Sequence, residues 1–302
     1  MDYIIHAQDS VVAHWLGAGA DGFRLDVADE LPDAFIAALK KRIRQIRPDA
    51  LLIGEVWEDA SNKIAYDQRK RYFRGKQLSG VMNYPFRNGL IHFLKYGDAS
   101  LLREVTETLH QHYPPKALLH TMNSIGTHDT ERILTVLGGE GDFGEPNEVL
   151  AVRRMTKKQR EKAANTLING YTLLACLPGV PCIYYGDEAG MEGYHDPFNR
   201  RPFPWHAIDS KLHNAFRAVN RLRAREKLFG AEGFVVLDTP EGVFAFQRFD
   251  ENGRLTVLSN ASEDAYLHRP GGPVTDLMTG ETVSGELLIS AGTTRILKDL
   301  TV

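Results

Sequence analysis

The sequence has few cysteines, no long apolar run and little excess charge. Its 302 residues include only two cysteines. Cys176 and Cys182 lie among apolar neighbours, which favours reduced thiols in a cytosolic protein over a disulfide. No apolar run approaches the roughly 20 residues of a membrane span, and residues 1–15 do not resemble a signal peptide. The net charge of −3 does not indicate a polyanionic partner. We therefore expect a cytoplasmic protein that binds neither nucleic acid nor membrane.

Short apolar runs alternate with longer helix-period segments over the first three quarters of the chain. At roughly 150 residues per domain, the length suggests two domains, or one large domain with an appendage. Strands are predicted at residues 22–26, 51–53, 81–82, 118–125 and 182–184. Helices are predicted near residues 11–18, 32–47, 86–95, 99–112, 157–176 and 211–227. This order favours an α/β fold with a parallel sheet. Strands that end in polar residues are typical of a (β/α) barrel, whose chemistry collects at the carboxyl ends of the strands.

The pattern changes after about residue 229. Strand-like runs at residues 234–237, 243–246 and 255–258 are separated by turn signals such as the Glu-Asn-Gly at 251–253. We therefore predict a catalytic barrel region over residues 1–229 and a small all-β domain over residues 230–302.

The first candidate site segment is the strand that ends in Arg24, Leu25 and Asp26. Because side chains alternate along a strand, Arg24 and Asp26 point to one face. An adjacent arginine keeps a carboxylate ionised, and an ionised carboxylate can act as a nucleophile. A structural ion pair is an equally good interpretation of this segment alone.

The second segment places Glu55 directly after an apolar strand, with Trp57 two residues further on. A carboxyl group held against an aromatic ring in a partly dry pocket can act as a general acid. Taken alone, an ordinary loop glutamate is the simpler interpretation.

The third segment has His128 and Asp129 just after a strand. These side chains could hydrogen-bond sugar hydroxyls or stabilise a cationic transition state. Metal binding is the competing interpretation, but the segment lacks an i, i+4 histidine pair and a Cys-x-x-Cys motif.

Together, the three segments resemble signature motifs of the α-amylase superfamily, glycoside hydrolase family 13, in the right order. Residues 179–188 (GVPCIYYGDE) resemble the family's eighth barrel strand and the loop after it. Residues 196–205 (DPFNRRPFPW) are similar to the neopullulanase, cyclomaltodextrinase and maltogenic amylase branch. The resemblance covers most of the chain, from about Ser10 onward.

This resemblance implies a retaining glycosidase that cleaves α-glucosidic bonds in α-glucans or malto-oligosaccharides. Asp26 would be the nucleophile and Glu55 the general acid and base, with roughly 5–5.5 Å between their carboxyl groups. Asp129 would stabilise the oxocarbenium-like transition state. Arg24 would orient Asp26, and His128 would bind the sugar that precedes the cleaved bond.

Five further residues are expected to contact substrate: Trp57, Asp29, Glu30, Arg200 and Arg201. For Asp29 and Glu30, a helix N-terminal charge is an equal alternative. For the two arginines, the alternative is a structural salt bridge. Calcium occurs in the family, but no ligand set stands out in this sequence, so we expect no metal or other cofactor.

The resemblance equates the five predicted strands with barrel strands four to eight. It therefore implies a partial (β/α)8 TIM barrel followed by a small antiparallel β-sandwich domain. The family's first motif, Asp-x-x-x-Asn-His, does not occur in the sequence. We expect the C-terminal part of a longer enzyme, with little activity on its own and with self-association through open sheet edges.

The alternative functions are those of an α-glucosidase or transglycosylase of the same superfamily. A non-catalytic carbohydrate-binding or transporter-associated relative is another, although such relatives commonly lose catalytic carboxylates. All three are present here.

Overall fold

The computed structural model describes residues 1–74 and 77–299, and the chain divides into two compact units. Unit 1 comprises Met1–Pro85, Thr108–Asn123 and Pro178–Val180. Unit 2 comprises Phe86–Glu107, Ser124–Leu177 and Pro181–Val302.

The α-helices are α1 (Val11–Gly17), α2 (Asp33–Ile46), α3 (Tyr84–Tyr96), α4 (Ser100–His112), α5 (Pro115–Leu119), α6 (Ile133–Gly138), α7 (Asn147–Val152), α8 (Lys157–Cys176) and α9 (Ser210–Arg225). A π-helical turn covers Asp2–His6, and 3-10 turns cover Ala28–Glu30, Phe198–Arg200 and Lys227–Gly230. None of the helices in the described ranges is long and apolar enough to cross a membrane.

The strands are β1 (Gly22–Leu25), β2 (Leu51–Gly54), β3 (Ile64–Ala65), β4 (Gln68–Arg69), β5 (Gly80–Val81), β6 (Met122–Ser124), β7 (Val180–Cys182), β8 (Gly233–Val236), β9 (Val243–Asp250), β10 (Gly253–Asn260), β11 (Tyr266–His268), β12 (Val274–Asp276), β13 (Thr282–Val283), β14 (Leu287–Ile289) and β15 (Thr293–Asp299).

A parallel sheet with the order β1-β2-β5 forms the centre of unit 1. In its register Leu25 lies opposite Gly54, so the residues that follow the two strands leave the sheet side by side. The close pairing requires glycine at the start of β1. A Cβ on Gly22 would lie 2.1 Å from the carbonyl oxygen of Leu51, and its φ of +154° suits glycine.

Helix α2 illustrates why the periodic segments fold as predicted. Ile36, Leu39 and Ile43 recur on one face and are buried, as an amphipathic helix requires. Pro32 is the N-cap residue, and the helix ends at Ile46, just before Pro48, whose preceding residue is disfavoured in helical geometry.

The strand predicted at residues 118–125 is wrong over its first half. Residues Pro115–Leu119 form a helix instead, and the strand covers only Met122–Ser124. Pro115 stands at the first helical position, where its missing N–H costs nothing. The backbone N–H groups of Ala117 and Leu118 donate back to the Pro114 carbonyl, so Leu118 belongs to the helix.

Unit 2 contains an antiparallel sheet with the order β13-β12-β15-β10-β9-β8. Antiparallel pairing after residue 229 is therefore confirmed. One core cluster on this sheet contains Ala245, Leu258, Val274, Ile289 and Leu297. The pair β11–β14 contributes Tyr266 and Leu287 to the rim of the same cluster.

Candidate active site

Asp26 and Glu55 follow the neighbouring strands β1 and β2, and the side chain of Arg24 contacts both. One guanidinium nitrogen (Nη1) lies 2.5 Å from Asp26 Oδ1, and the other (Nη2) lies 3.1 Å from Glu55 Oε2. The Arg24 Nε group donates to Met82 Sδ at 3.4 Å. The Arg24 guanidinium therefore pairs with both carboxylates at the carboxyl ends of β1 and β2 in unit 1.

The two carboxylates differ sharply in exposure. The Asp26 side chain is 72% exposed, whereas that of Glu55 is 5% exposed. Glu55 accepts a hydrogen bond from the Val27 backbone N–H at 2.8 Å and from the Trp57 indole N–H at 3.2 Å. Asp26 is open to an incoming molecule, and Glu55 is held in a fixed orientation.

Val27 holds Glu55 through an uncommon backbone conformation. Its φ of +40° lies in the left-handed region, which is strained for a β-branched residue. This turn directs the Val27 N–H at the Glu55 carboxylate, while the Ala28 N–H donates to the Glu55 carbonyl at 3.2 Å. Backbone strain beside a carboxylate is typical of a functional site.

Trp57 is oriented by stacking as well as by its hydrogen bond. Its ring lies 4.3 Å from that of Tyr84, with an interplanar angle of 10°. Trp57 is 46% exposed, whereas Tyr84 is buried. The free face of the indole is an apolar surface beside Glu55, of the kind on which a sugar ring can stack.

Asp29 and Glu30 lie on the 3-10 turn after β1, and each has a tyrosine partner. Asp29 accepts from the Tyr72 hydroxyl at 2.6 Å and from Lys63 Nζ at 3.0 Å. Burial and the hydrogen bond to Asp29 raise the pKa of Tyr72 well above its usual range. Glu30 accepts from the Tyr66 hydroxyl. Both carboxylates therefore accept hydrogen bonds from side chains of the protein itself.

In unit 2, His128, Asp129 and Arg200 lie together. His128 Nε2 is 3.3 Å from Asp129 Oδ2, and Arg200 Nη2 is 3.6 Å from Asp129 Oδ1. The backbone of this loop is held by Asn199, whose side-chain amide donates to the carbonyls of His128 at 2.7 Å and Thr130 at 2.9 Å.

Arg201 does not join that group. Its guanidinium donates to the Ala151 carbonyl at 2.5 Å and lies 5.9 Å from the Phe198 ring centroid. The two adjacent arginines therefore have different partners: Arg200 faces Asp129, whereas Arg201 donates to a backbone carbonyl.

Four residues that orient these side chains are absent from the sequence-based prediction: Val27, Met82, Tyr84 and Asn199. Asn199 lies in the quoted DPFNRRPFPW segment, so that segment carried a signal for it. Val27, Met82 and Tyr84 act through a strained turn, a sulfur contact and a ring stack. None of these has a local sequence signature.

Across residues 1–74 and 77–299, no group of three or more His, Cys, Asp or Glu side chains is arranged to hold a metal ion. Both cysteines are free thiols, and burial raises the pKa of Cys176 to about 12.

The chain belongs to the alpha-amylase family, because the catalytic domain of that family matches residues 3–231. This confirms the family expected from the motifs.

Curated relatives cover nearly all of the chain. Neopullulanase 2 from Thermoactinomyces vulgaris is 33% identical over 91% of this chain and 44% of its own length. Amylopullulanase from Thermoanaerobacter thermohydrosulfuricus is 31% identical over 96% of this chain and 21% of its own length. The chain thus spans less than half the length of either relative.

Solved structures share the fold. The type III pullulan hydrolase from Thermococcus kodakarensis has a TM-score of 0.77 and 26% identity, over 95% of this chain and 46% of that one. The alpha-amylase from Geobacillus thermoleovorans, complexed with acarbose, has a TM-score of 0.78 and 19% identity, over 96% and 63%. The chain thus shares the fold of alpha-amylase-family structures.

Proposed function

We propose that this chain carries the catalytic carboxylates of a retaining glycosidase that acts on α-glucans or malto-oligosaccharides. Asp26 is the nucleophile and Glu55 is the general acid and base. The membership of the alpha-amylase family supports this assignment, as do relatives named neopullulanase, amylopullulanase and cyclomaltodextrinase.

The observation that carries the proposal is the sharing of Arg24 by Asp26 and Glu55. Two carboxylates that meet one guanidinium fit the short separation of a retaining pair, in which the carboxylate itself, and not a water molecule, attacks in the first displacement. The Arg24 guanidinium, 2.5 Å from Asp26 Oδ1, orients that carboxylate for attack. The Trp57 and Val27 N–H groups hold Glu55 at a defined angle, as a proton donor needs.

The reaction proceeds in two displacements. Glu55 gives its proton to the glycosidic oxygen while an Asp26 oxygen attacks the anomeric carbon, so that the C–O bond to the leaving sugar breaks and a glycosyl ester forms. Glu55 then takes a proton from a water molecule. The oxygen of that water attacks the same carbon and releases Asp26, and the anomeric configuration is retained.

The other predicted residues receive supporting roles. Asp129 stabilises positive charge on the sugar ring, His128 hydrogen-bonds a hydroxyl, and Arg200 is the counter-ion of Asp129. Trp57 offers an acceptor-side platform. We assign Asp29, Glu30 and Arg201 to the shape of the binding region, because their polar groups are engaged within the protein.

The finer architecture is also part of the proposal. β1, β2, β5, β6 and β7 are barrel strands four to eight, and residues 1–229 form the catalytic region. The family match, which ends at residue 231, supports a boundary there. Residues 230–302 form the β-sandwich, supported by the cluster that the six-stranded sheet shares with β11–β14. Cytoplasmic location, the lack of a cofactor and self-association through the edge of β1 complete it.

Covalent labelling tests the nucleophile. A fluorinated α-glycosyl fluoride slows hydrolysis of the glycosyl ester, so the adduct accumulates even where turnover is low. Peptide mass spectrometry of the full chain should therefore find it on Asp26. Asp26→Asn should abolish labelling with little change in melting temperature. An adduct on another carboxylate, or no adduct at all, would contradict the proposal.

The choice of leaving group tests the acid. Glu55→Gln should lower kcat/KM on a maltoside with a poor leaving group by at least 1,000-fold (about 4 kcal/mol). It should still react with a glycosyl fluoride, which needs no protonation. Equal losses on both substrates would assign Glu55 another role.

A further inference from the structure

A buried ion pair stands behind the loop that carries His128 and Asp129 in unit 2. Arg132 Nη1 lies 3.1 Å from Asp187 Oδ1, and both side chains are almost fully buried. The same guanidinium lies over the Tyr184 ring at 4.2 Å and donates to the Tyr185 carbonyl. Neither Arg132 nor Asp187 has a part in the proposed chemistry.

This pair is costly to bury. Asp187 Oδ2 and Arg132 Nε and Nη2 are buried without a hydrogen-bond partner in the described part of the chain. Desolvation of two charges commonly equals or exceeds their attraction, so a buried pair is weak as a source of stability. What such a pair does supply is a fixed arrangement of the segments that carry it.

Both members contact the loop that carries Asp129. Arg132 lies three residues after Asp129, and its N–H donates to the Gly193 carbonyl at 2.9 Å. At the other end of the loop, Gly126 faces Asp187 so closely that a Cβ there would lie 2.1 Å from Oδ2. The pair therefore restrains the loop at residue 126 and at residue 132.

The ring over Arg132 extends this restraint to the middle of the loop. The Tyr184 hydroxyl donates to the Asn199 carbonyl at 3.3 Å. The Asn199 side chain in turn holds the carbonyls of His128 and Thr130. The pair thus restrains the loop at its two ends, and Asn199 holds the middle of the loop.

We propose that Asp187 and Arg132 are positioning residues that fix the Asp129 carboxylate for transition-state stabilisation. The inference rests on the proposed function for its catalytic consequence, but not for its structural one. A misplacement of about 1 Å in a catalytic group can cost about 100-fold in rate. Loosening the pair should therefore lower kcat more than it raises KM.

Asp187→Asn is the first test, because it removes the charge and keeps the shape. In the full chain, amide exchange at Thr130 and Arg132 should become at least tenfold faster. On a maltoside, kcat should fall 10- to 100-fold while KM changes less than threefold. Asp276→Asn is the matched control, since Asp276 is also buried and pairs with Arg295 at 2.8 Å. It should leave exchange in the loop and kcat unchanged.

A double-mutant cycle tests whether the pair acts through Asp129. In an Asp129→Asn background, Asp187→Asn should lower kcat no further, because the group that it positions is already disabled. Multiplicative losses would overturn the proposal. Binding of an acarviosine-type inhibitor, followed by calorimetry, should weaken in both single variants.

Two further outcomes distinguish failure of the positioning role from failure of the proposed function. If Asp187→Asn leaves exchange at Thr130 and Arg132 unchanged, the positioning role is wrong whatever the activity is. If wild type forms no Asp26 adduct while Asp187→Asn speeds amide exchange, the proposed function fails and the restraint of the loop stands.

Should Asp187→Asn not fold, Gly126→Ala displaces the same carboxylate from the loop side. It should show the same exchange and kcat changes, and normal values for both would also overturn the inference.

Discussion

Arg24 in unit 1 and Arg132 in unit 2 both hold carboxylates, but in opposite surroundings. The Arg24 side chain is 28% exposed, and it reaches the largely exposed Asp26 and the buried Glu55. Arg132 and Asp187 are closed off from solvent. Exposed pairs contribute about 1 kcal/mol or less because water screens them, whereas breaking a buried pair costs several kcal/mol.

A charged side chain near solvent can react with a substrate, whereas an enclosed one can only restrain the chain around it. A carboxylate beside a solvent-accessible arginine can attack or bind without losing the fold. A carboxylate enclosed with its arginine cannot meet a substrate, so its effect must pass through the chain that it restrains.

Arg132→Met should cause the largest loss in the free energy of unfolding. We expect a loss of about 3–5 kcal/mol in the free energy of unfolding, and a smaller loss for Arg24→Met, because Asp26 stays in contact with water and Glu55 keeps the Val27 and Trp57 N–H donors. Denaturant unfolding of both variants measures this, and Arg132→Lys is the conservative control. Similar losses for the two methionine variants would show that burial does not separate the pairs.

The Arg132→Met loss should also depend on pH. Burial already raises the pKa of Asp187 to about 7, although Arg132 opposes the shift. Without the arginine that pKa rises further, and the folded state binds a proton that the unfolded state releases. Relative to wild type, the free energy of unfolding of the variant should therefore fall as pH rises above about 7, where Asp187 of wild type has lost the proton that the variant still holds.

Lys40 in unit 1 is a buried cation whose partner is a hydroxyl and not a carboxylate. It donates to Ser79 Oγ, and burial together with Arg44 lowers its pKa from 10.5 to about 8. The penalty amounts to at most about 3 kcal/mol near neutral pH. Lys40→Met should therefore be more stable than wild type at pH 7.

The stability advantage of Lys40→Met should depend on pH, because the folded and unfolded states of wild type bind different numbers of protons at Lys40. Between pH 8 and 10.5 the unfolded state holds more protons at Lys40 than the folded state, so wild type gains stability there relative to the variant. The advantage of Lys40→Met should shrink across that window. Lys41→Met, a substitution at the exposed neighbour, should show no such change in urea unfolding measured at several pH values.

Trp57→Phe tests the group that orients Glu55. It removes the indole N–H at 3.2 Å from Glu55 Oε1 but keeps a ring beside Tyr84. A hydrogen bond contributes about 1 kcal/mol, so kcat/KM on a maltoside should fall about fivefold. Trp15→Phe, at an exposed position of α1, should leave it unchanged. An unaltered rate in Trp57→Phe would remove the indole from the mechanism.

The sequence predicts the elements whose signals are local. β1 and β2 begin where alternation and apolar runs place them. The spacing of Phe35, Leu39 and Ile43 predicts the helix α2, whose buried face contains Leu39 and Ile43, while Phe35 is only half-buried. The family match confirms what the ordered motifs implied. Local signals fail near Leu118, where two prolines start a helix in an apolar run.

The candidate site is predictable in its carboxylates but not in their supports. Asp26 and Glu55 follow recognisable strands. The N–H of Val27 reaches Glu55 only through a left-handed turn, and Tyr84 stacks on Trp57 from the start of α3. The enclosure of Asp187 with Arg132 joins residues 55 positions apart. Such contacts arise from packing, which short-range patterns do not encode.

The smallest expected effect separates two neighbouring arginines. Arg200 lies 3.6 Å from Asp129 and donates to the His128 carbonyl at 3.1 Å, whereas Arg201 donates to the Ala151 carbonyl. An exposed charge pair contributes about 1 kcal/mol or less, so Arg200→Met should raise KM on a maltoside by no more than about fivefold.

Arg201→Met is the matched variant, since it removes the same guanidinium one residue away. Its KM should equal that of wild type, while its melting temperature falls slightly because the Ala151 carbonyl loses a donor. Initial rates over a range of maltoside concentrations, with thermal unfolding of the same preparations, measure both effects. A rise in KM for Arg201→Met that matches Arg200→Met would return Arg201 to the substrate contacts, because a bond to a backbone carbonyl alone cannot produce it.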